Sequence, residues 1–144
     1  MQETDLEASI LKLEVTENLI MASAETVKAM LYELKDLGVQ LSIDDFGTGY
    51  SSLARLHHFP IDELKIDRSF IDSMSNGSEN SEIVEAIIAL AQKLNLDVTA
   101  EGIETPGQLA KLRELKCKYG QGFFFSHPLD SQAARELILA NSQW

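Results

Sequence analysis

Short runs that alternate apolar and polar residues recur along the chain, separated by segments with helical spacing. Ile10–Val15 (ILKLEV) alternates, and a period of two predicts a strand with one buried face. Residues 24–37 place Val27, Met30, Leu31, Leu34 and Leu37 at helical spacing, and Gly38 reads as the stop of that helix. Val39–Ile43, Glu63–Ile66 and Leu96–Ala100 predict three more strands, and Lys118–Gly120 and Phe123–Phe125 two further short ones. Between them, Ser51–Leu56 predicts a short helix before Pro60, and residues 72–80 (DSMSNGSEN) a polar connection. A long helix is expected from Ser81 to Leu94, with Ile83, Ile87, Leu90 and Leu94 on one face. Thr105-Pro106-Gly107-Gln108 reads as a helix start, with Thr105 as cap, Pro106 in the first turn and Gln108 completing a capping box. Ser131–Ala140 predicts a terminal helix. Strands alternating with helices imply an α/β fold: a parallel sheet of six strands with helices on its faces. No linker, repeat or low-complexity block interrupts residues 1–144, which read as one structural unit.

Composition narrows the partners. With 44% hydrophobic and 24% charged residues, the chain fits a soluble globular protein. Its net charge of −11 argues against a nonspecific DNA or RNA binder, which needs basic surface to meet phosphates. One cysteine, Cys117, allows no intrachain disulfide, and a reducing compartment is the default. No apolar run reaches the roughly 18 residues of a membrane span, and residues 1–9 (MQETDLEAS) are too polar for a secretory signal. A cytoplasmic location is expected, although a longer parent could be anchored to a membrane. Length bounds the fold too: 144 residues fall short of the roughly 200 or more that a closed (β/α)8 barrel needs.

The polar residues that stand out lie in or at the C-terminal ends of the predicted strands: Glu14, Asp44, Asp45, Lys65 and Glu101, with Gln121 following the next short strand. In parallel α/β folds those ends converge on the face where active sites are built. Four neighbouring carboxylates raise one another's pKa or bind metal. Hard oxygen donors suit Mg²⁺ or Mn²⁺, and two such ions a few ångströms apart would promote attack of water on a phosphodiester. Asp45-Phe46-Gly47 echoes a kinase magnesium motif, but no glycine-rich phosphate loop or catalytic loop accompanies it. Gly47-Thr48-Gly49 lacks the Lys-Ser/Thr ending of a phosphate-binding loop. His57 and His58 are adjacent, so they do not share a helix face, and a surface or core role is expected for them rather than metal binding. Phe123–Phe125 reads as packing.

At these residues the sequence resembles the EAL-domain family of cyclic di-GMP phosphodiesterases. The matching stretches are LEVTE (residues 13–17), DDFGTGYSSL (44–53), LKID (64–67), AEGIE (100–104) and QGFFFSHP (121–128). The resemblance implies a TIM-like barrel and Mg²⁺- or Mn²⁺-dependent hydrolysis of cyclic di-GMP to pGpG. It implies Glu14 as a ligand of a first metal, Asp44 as a bridging ligand, and Asp45 and Glu101 as ligands of a second, with Glu101 also viewed as a general base. Lys65 would hold the attacking water, and Gln121 would hydrogen-bond within the metal and water shell. Glu17 would anchor the loop 46–52, Glu104 would support the ligands from behind, and Pro128 would help line the substrate cleft.

The Glu-Ala-Leu signature that names the family does not occur in the 144 residues. The resemblance therefore implies an incomplete barrel, about strands three to eight with their helices, as a single partial EAL domain. Such a piece alone is expected to be inactive or weak. Its open sheet edges are expected to favour homo-oligomers or association with other chains. A sensory or GGDEF-type domain could precede it in a parent protein. The alternative is a noncatalytic EAL-like module that binds cyclic di-GMP or a protein partner.

Overall fold

The computed structural model describes residues 6–22, 25–47, 56–74 and 79–140. Five strands form one sheet: β1 (Lys12–Thr16), β2 (Gln40–Phe46), β3 (Glu63–Ile66), β4 (Asp97–Ala100) and β5 (Tyr119–Gly120). All four pairings are parallel, and the spatial order is the sequence order. A strictly sequential parallel order winds in one direction, as an arc of a barrel does, and has none of the reversal that defines a doubly wound sheet.

The helices are α1 (Glu17–Ala22), α2 (Glu25–Asp36), α3 (Arg68–Ser73), α4 (Glu79–Lys93), α5 (Pro106–Glu114) and α6 (Ser131–Ala140). The start of α5 is the expected capping box. Thr105 Oγ1 accepts from the Gln108 N–H at 3.2 Å, and Gln108 Oε1 accepts from the Thr105 N–H at 2.9 Å. The buried Gln108 then donates through Nε2 to the carbonyl of Ile71 at 3.1 Å, which ties α5 to α3. Asp67 caps α3 by accepting from the Ser69 N–H at 2.9 Å.

Alternation along the strands separates two faces. Leu41, Ile43, Leu64, Ile66, Val98 and Ala100 are buried in the core shared with Leu31, Ile71, Val84, Ile88 and Ala91 of the helices. Each large aliphatic side chain buried there contributes roughly 1.5–3 kcal/mol. The alternate positions, Lys12, Glu14, Ser42, Asp44, Glu63, Lys65 and Thr99, give the opposite face an almost wholly polar character. Its lower tier is a closed set: Glu63 accepts from Thr99 Oγ1 at 2.6 Å and pairs with Lys12 Nζ at 2.9 Å.

One predicted strand is not a strand. Phe123–Phe125 forms a turn, because the Phe125 and Ser126 N–H groups both reach back to the carbonyl of Gly122, at 3.1 and 3.4 Å. The segment so curled cannot offer a ladder edge, and Phe124 and Phe125 pack against the core. Strand β2 runs three residues further than the alternation suggested, so Asp44 and Asp45 lie inside it. Helix α3 was not expected and overlaps only the first two residues of the polar connection 72–80, and α4 begins at Glu79, ahead of the expected Ser81. The short helix expected at 51–56 lies outside the described residues apart from Leu56. His57 and His58 are exposed, in keeping with a surface role.

Candidate functional site

A defect in the β2–β3 ladder builds the site. The register runs Ser42↔Glu63, Ile43↔Leu64 and then Phe46↔Ile66, so Asp44 and Asp45 together oppose Lys65. Asp45 takes φ +54°, a left-handed conformation that aspartate tolerates better than most residues. In a regular strand these adjacent side chains would point to opposite faces. The bulge brings both to one side. Carboxylate oxygens of Asp44, Asp45 and Glu101 lie within 4.8 Å of one another.

Lys65 stands among the carboxylates. Its Nζ is 2.6 Å from Glu101 Oε1, 2.7 Å from Glu14 Oε1 and 3.2 Å from Asp44 Oδ1. Only 8% of its side-chain surface is exposed. Burial by itself would lower its pKa, but the hydrogen bonds it donates to Glu101, Glu14 and Asp44 outweigh that and raise it, so the ammonium is firmly charged. Gln121 follows β5 directly and donates through Nε2 to Glu101 Oε1 at 2.6 Å. Two donors thus orient the Glu101 carboxylate.

One ammonium does not balance four carboxylates. Burial pushes the Glu101 carboxyl up; the Lys65 charge opposes this, and the Asp44 and Glu14 charges reinforce it. Asp45, although exposed, is pushed up as well, by partial desolvation and then by the charges of Asp44 and Asp67, against the pull of Lys65. Asp44 Oδ1 is buried, and its one cationic neighbour is the Lys65 ammonium at 3.2 Å, which it shares with Glu14 and Glu101. An acceptor in that position, within a cluster of hard carboxylate oxygens, fits a divalent cation by charge and by donor type.

The remaining candidates surround the cluster rather than join it. Glu17, buried at the start of α1, accepts from the Gly47 N–H at 2.9 Å and so holds the first residue after β2. Residues 48–52 of the loop that it was expected to anchor lie outside the described residues. Glu104 pairs with Arg68 Nη2 at 2.7 Å. Pro128 lines a cavity of about 390 Å³ with Arg68, Gly102, Glu104, Gln121, Phe123 and His127. Arg68 and the Lys12–Glu63–Thr99 set were not singled out from the sequence. The alternation of ELKI carried a signal for Glu63, whereas no spacing rule pointed to Arg68.

Residues 2–128 match the family described as EAL domain. Among curated relatives, the cyclic di-GMP phosphodiesterase NbdA of Pseudomonas aeruginosa is 51% identical over 140 residues, which is 97% of this chain and 18% of NbdA. The solved P. aeruginosa MucR phosphodiesterase in complex with c-di-GMP is 45% identical with a TM-score of 0.89, over 92% of this chain and 54% of that one. A manganese and cyclic di-GMP complex of Klebsiella pneumoniae BlrP1 is 31% identical with a TM-score of 0.82, over 88% of this chain and 32% of that one. The chain thus spans under a fifth of NbdA and about half of the MucR structure. Among the described residues, no helix is long and apolar enough to cross a membrane.

Proposed function

This chain belongs to the EAL domain family, and from its carboxylate cluster we propose that it carries the second metal site, and part of the first, of a cyclic di-GMP phosphodiesterase that releases pGpG. The observation that carries the reading is the convergence of carboxylate oxygens of Asp44, Asp45 and Glu101 within 4.8 Å of one another, with the single Lys65 ammonium among them. The name of NbdA, the c-di-GMP in the MucR complex and the manganese in the BlrP1 complex support it.

In this reading Glu14, Asp44, Asp45 and Glu101 hold Mg²⁺ or Mn²⁺. Bound cations supply Lewis-acid stabilisation of the charge that develops on phosphorus oxygens, and a water that ionises near neutral pH. Lys65 offsets carboxylate charge and holds the attacking water. Glu101, whose carboxyl is pushed up by burial, suits a proton acceptor for that water. Gln121 keeps the Glu101 carboxylate in one orientation. Glu17 holds the start of the 46–52 loop, Glu104 braces the turn behind Glu101, and Pro128 lines the cleft that receives the dinucleotide. The 144 residues alone are inactive or weak, because a partial cation site does not position water and phosphate together. In this reading copies of the chain associate through the sheet edges at β1 and β5.

Incubation with cyclic di-GMP and Mn²⁺, followed by chromatography for pGpG, tests the reading in a fusion that joins this chain to the first two strands of an EAL barrel. Turnover there, abolished by Asp44→Asn, is the expected result. Binding of cyclic di-GMP without hydrolysis would replace the enzyme with a sensing module.

A further inference from the structure

We propose that Arg68 is a positioning residue for Glu101, a role that rests on the metal-site reading above. Two cations three residues apart, Lys65 in β3 and Arg68 at the start of α3, meet two carboxylates three residues apart after β4. Lys65 Nζ lies 2.6 Å from Glu101 Oε1, and Arg68 Nη2 lies 2.7 Å from Glu104 Oε1. The segment Glu101–Glu104 is therefore gripped at both ends by one neighbouring segment.

Arg68 also acts between those ends. Gly102, directly after Glu101, takes φ +74°, and a Cβ there would overlap the Cγ of Arg68. The arginine stem lies flat on the turn that aims Glu101. Its Nε donates to Asp72 Oδ2 at 3.0 Å, which fixes the side chain along α3. The far side of the turn is fixed independently, by the Glu101 N–H on the Ile66 carbonyl at 3.1 Å and the Ile103 N–H on the Gln121 carbonyl at 3.0 Å. An exposed ion pair alone would carry little consequence. The covered glycine beside a ligand carboxylate gives this one a consequence for cation binding, as groups that orient metal ligands commonly affect affinity about 10–100-fold.

Calorimetric titration of the chain with MnCl₂ tests the proposal, with thermal melts run beside it. Arg68→Ala is expected to weaken Mn²⁺ binding about tenfold while the melt stays near that of the wild type. Arg68→Lys, which keeps the stem over Gly102 and a charge near Glu104, is expected to recover most of the affinity. A folded Arg68→Ala that binds Mn²⁺ as the wild type does overturns the positioning role alone. If Arg68→Ala does not fold, Glu104→Gln reports on the same link, and unchanged affinity there overturns it equally. Wild-type chain that binds no Mn²⁺ overturns the role together with the reading beneath it.

Discussion

Lys65 Nζ and Glu101 Oε1 lie 2.6 Å apart, with 8% and 15% of their side-chain surfaces exposed. The pair closes the β3–β4 part of the polar face, and the same ammonium reaches Glu14 and Asp44. Removing it should strand the carboxylates. Lys65→Met is expected to cost about 2–3 kcal/mol in EDTA, toward the low end for a broken buried pair because Glu14 is half exposed. Saturating Mn²⁺ should return much of that loss, since a ligand that binds only the folded state stabilises it by about 2.7 kcal/mol at a hundredfold excess over Kd. Denaturant unfolding with and without the cation measures both, and a variant as stable as wild type in EDTA would contradict the assignment.

Asp45 should show opposed effects on stability and on binding. Its left-handed backbone and its like-charged neighbour both cost the cation-free chain. Asp45→Gly is therefore expected to raise cation-free stability by about 0.5–1 kcal/mol and to weaken Mn²⁺ binding about tenfold. Melts and calorimetry on one preparation would reveal it; a loss of both would show that the bulge does not carry strain.

Glu63 gives a pH dependence of definite sign. Burial by itself would raise its pKa, but the Thr99 hydroxyl and the Lys12 ammonium overcome this and hold it below the usual range. The unfolded chain therefore takes up the proton first. The contribution to stability is complete above about pH 4.3 and is lost as pH falls below it. Melting temperatures from pH 7 to 3 should decline at the acid end, and Glu63→Gln should flatten that decline while costing about 1 kcal/mol at neutral pH. Identical profiles for the two proteins would refute the link.

Gly122 lies against the Ile103 main chain so closely that a Cβ would overlap its backbone N and O. Backbone cannot rotate away as a side chain can. Gly122→Ala is expected to cost about 2–3 kcal/mol and to pull Gln121 off Glu101, lowering Mn²⁺ affinity in parallel. Urea unfolding at wild-type midpoint would rule out the close approach.

The sequence by itself determined the class of fold and pointed to the polar residues that cluster at the strand ends. Alternation in ILKLEV and ELKI and the helical spacing in residues 24–37 and 81–94 follow from local geometry, because side-chain direction depends only on the backbone repeat. The capping box at Thr105 was legible for the same reason. The carboxylates, Lys65 and Gln121 could be picked out because they recur at strand ends, where a parallel sheet must gather them. Tertiary structure alone decided how they meet. The bulge that turns Asp45 beside Asp44 depends on the partner strand β3, and nothing in the string DDF encodes a register shift by itself. The Phe123–Phe125 run has strand-like residues, yet Gly122, pressed against Ile103, curls it into a turn. Arg68 sits on the turn after Glu101 from a segment more than thirty residues earlier. Contacts of that range are set by the packing of whole elements, which no window along the chain contains.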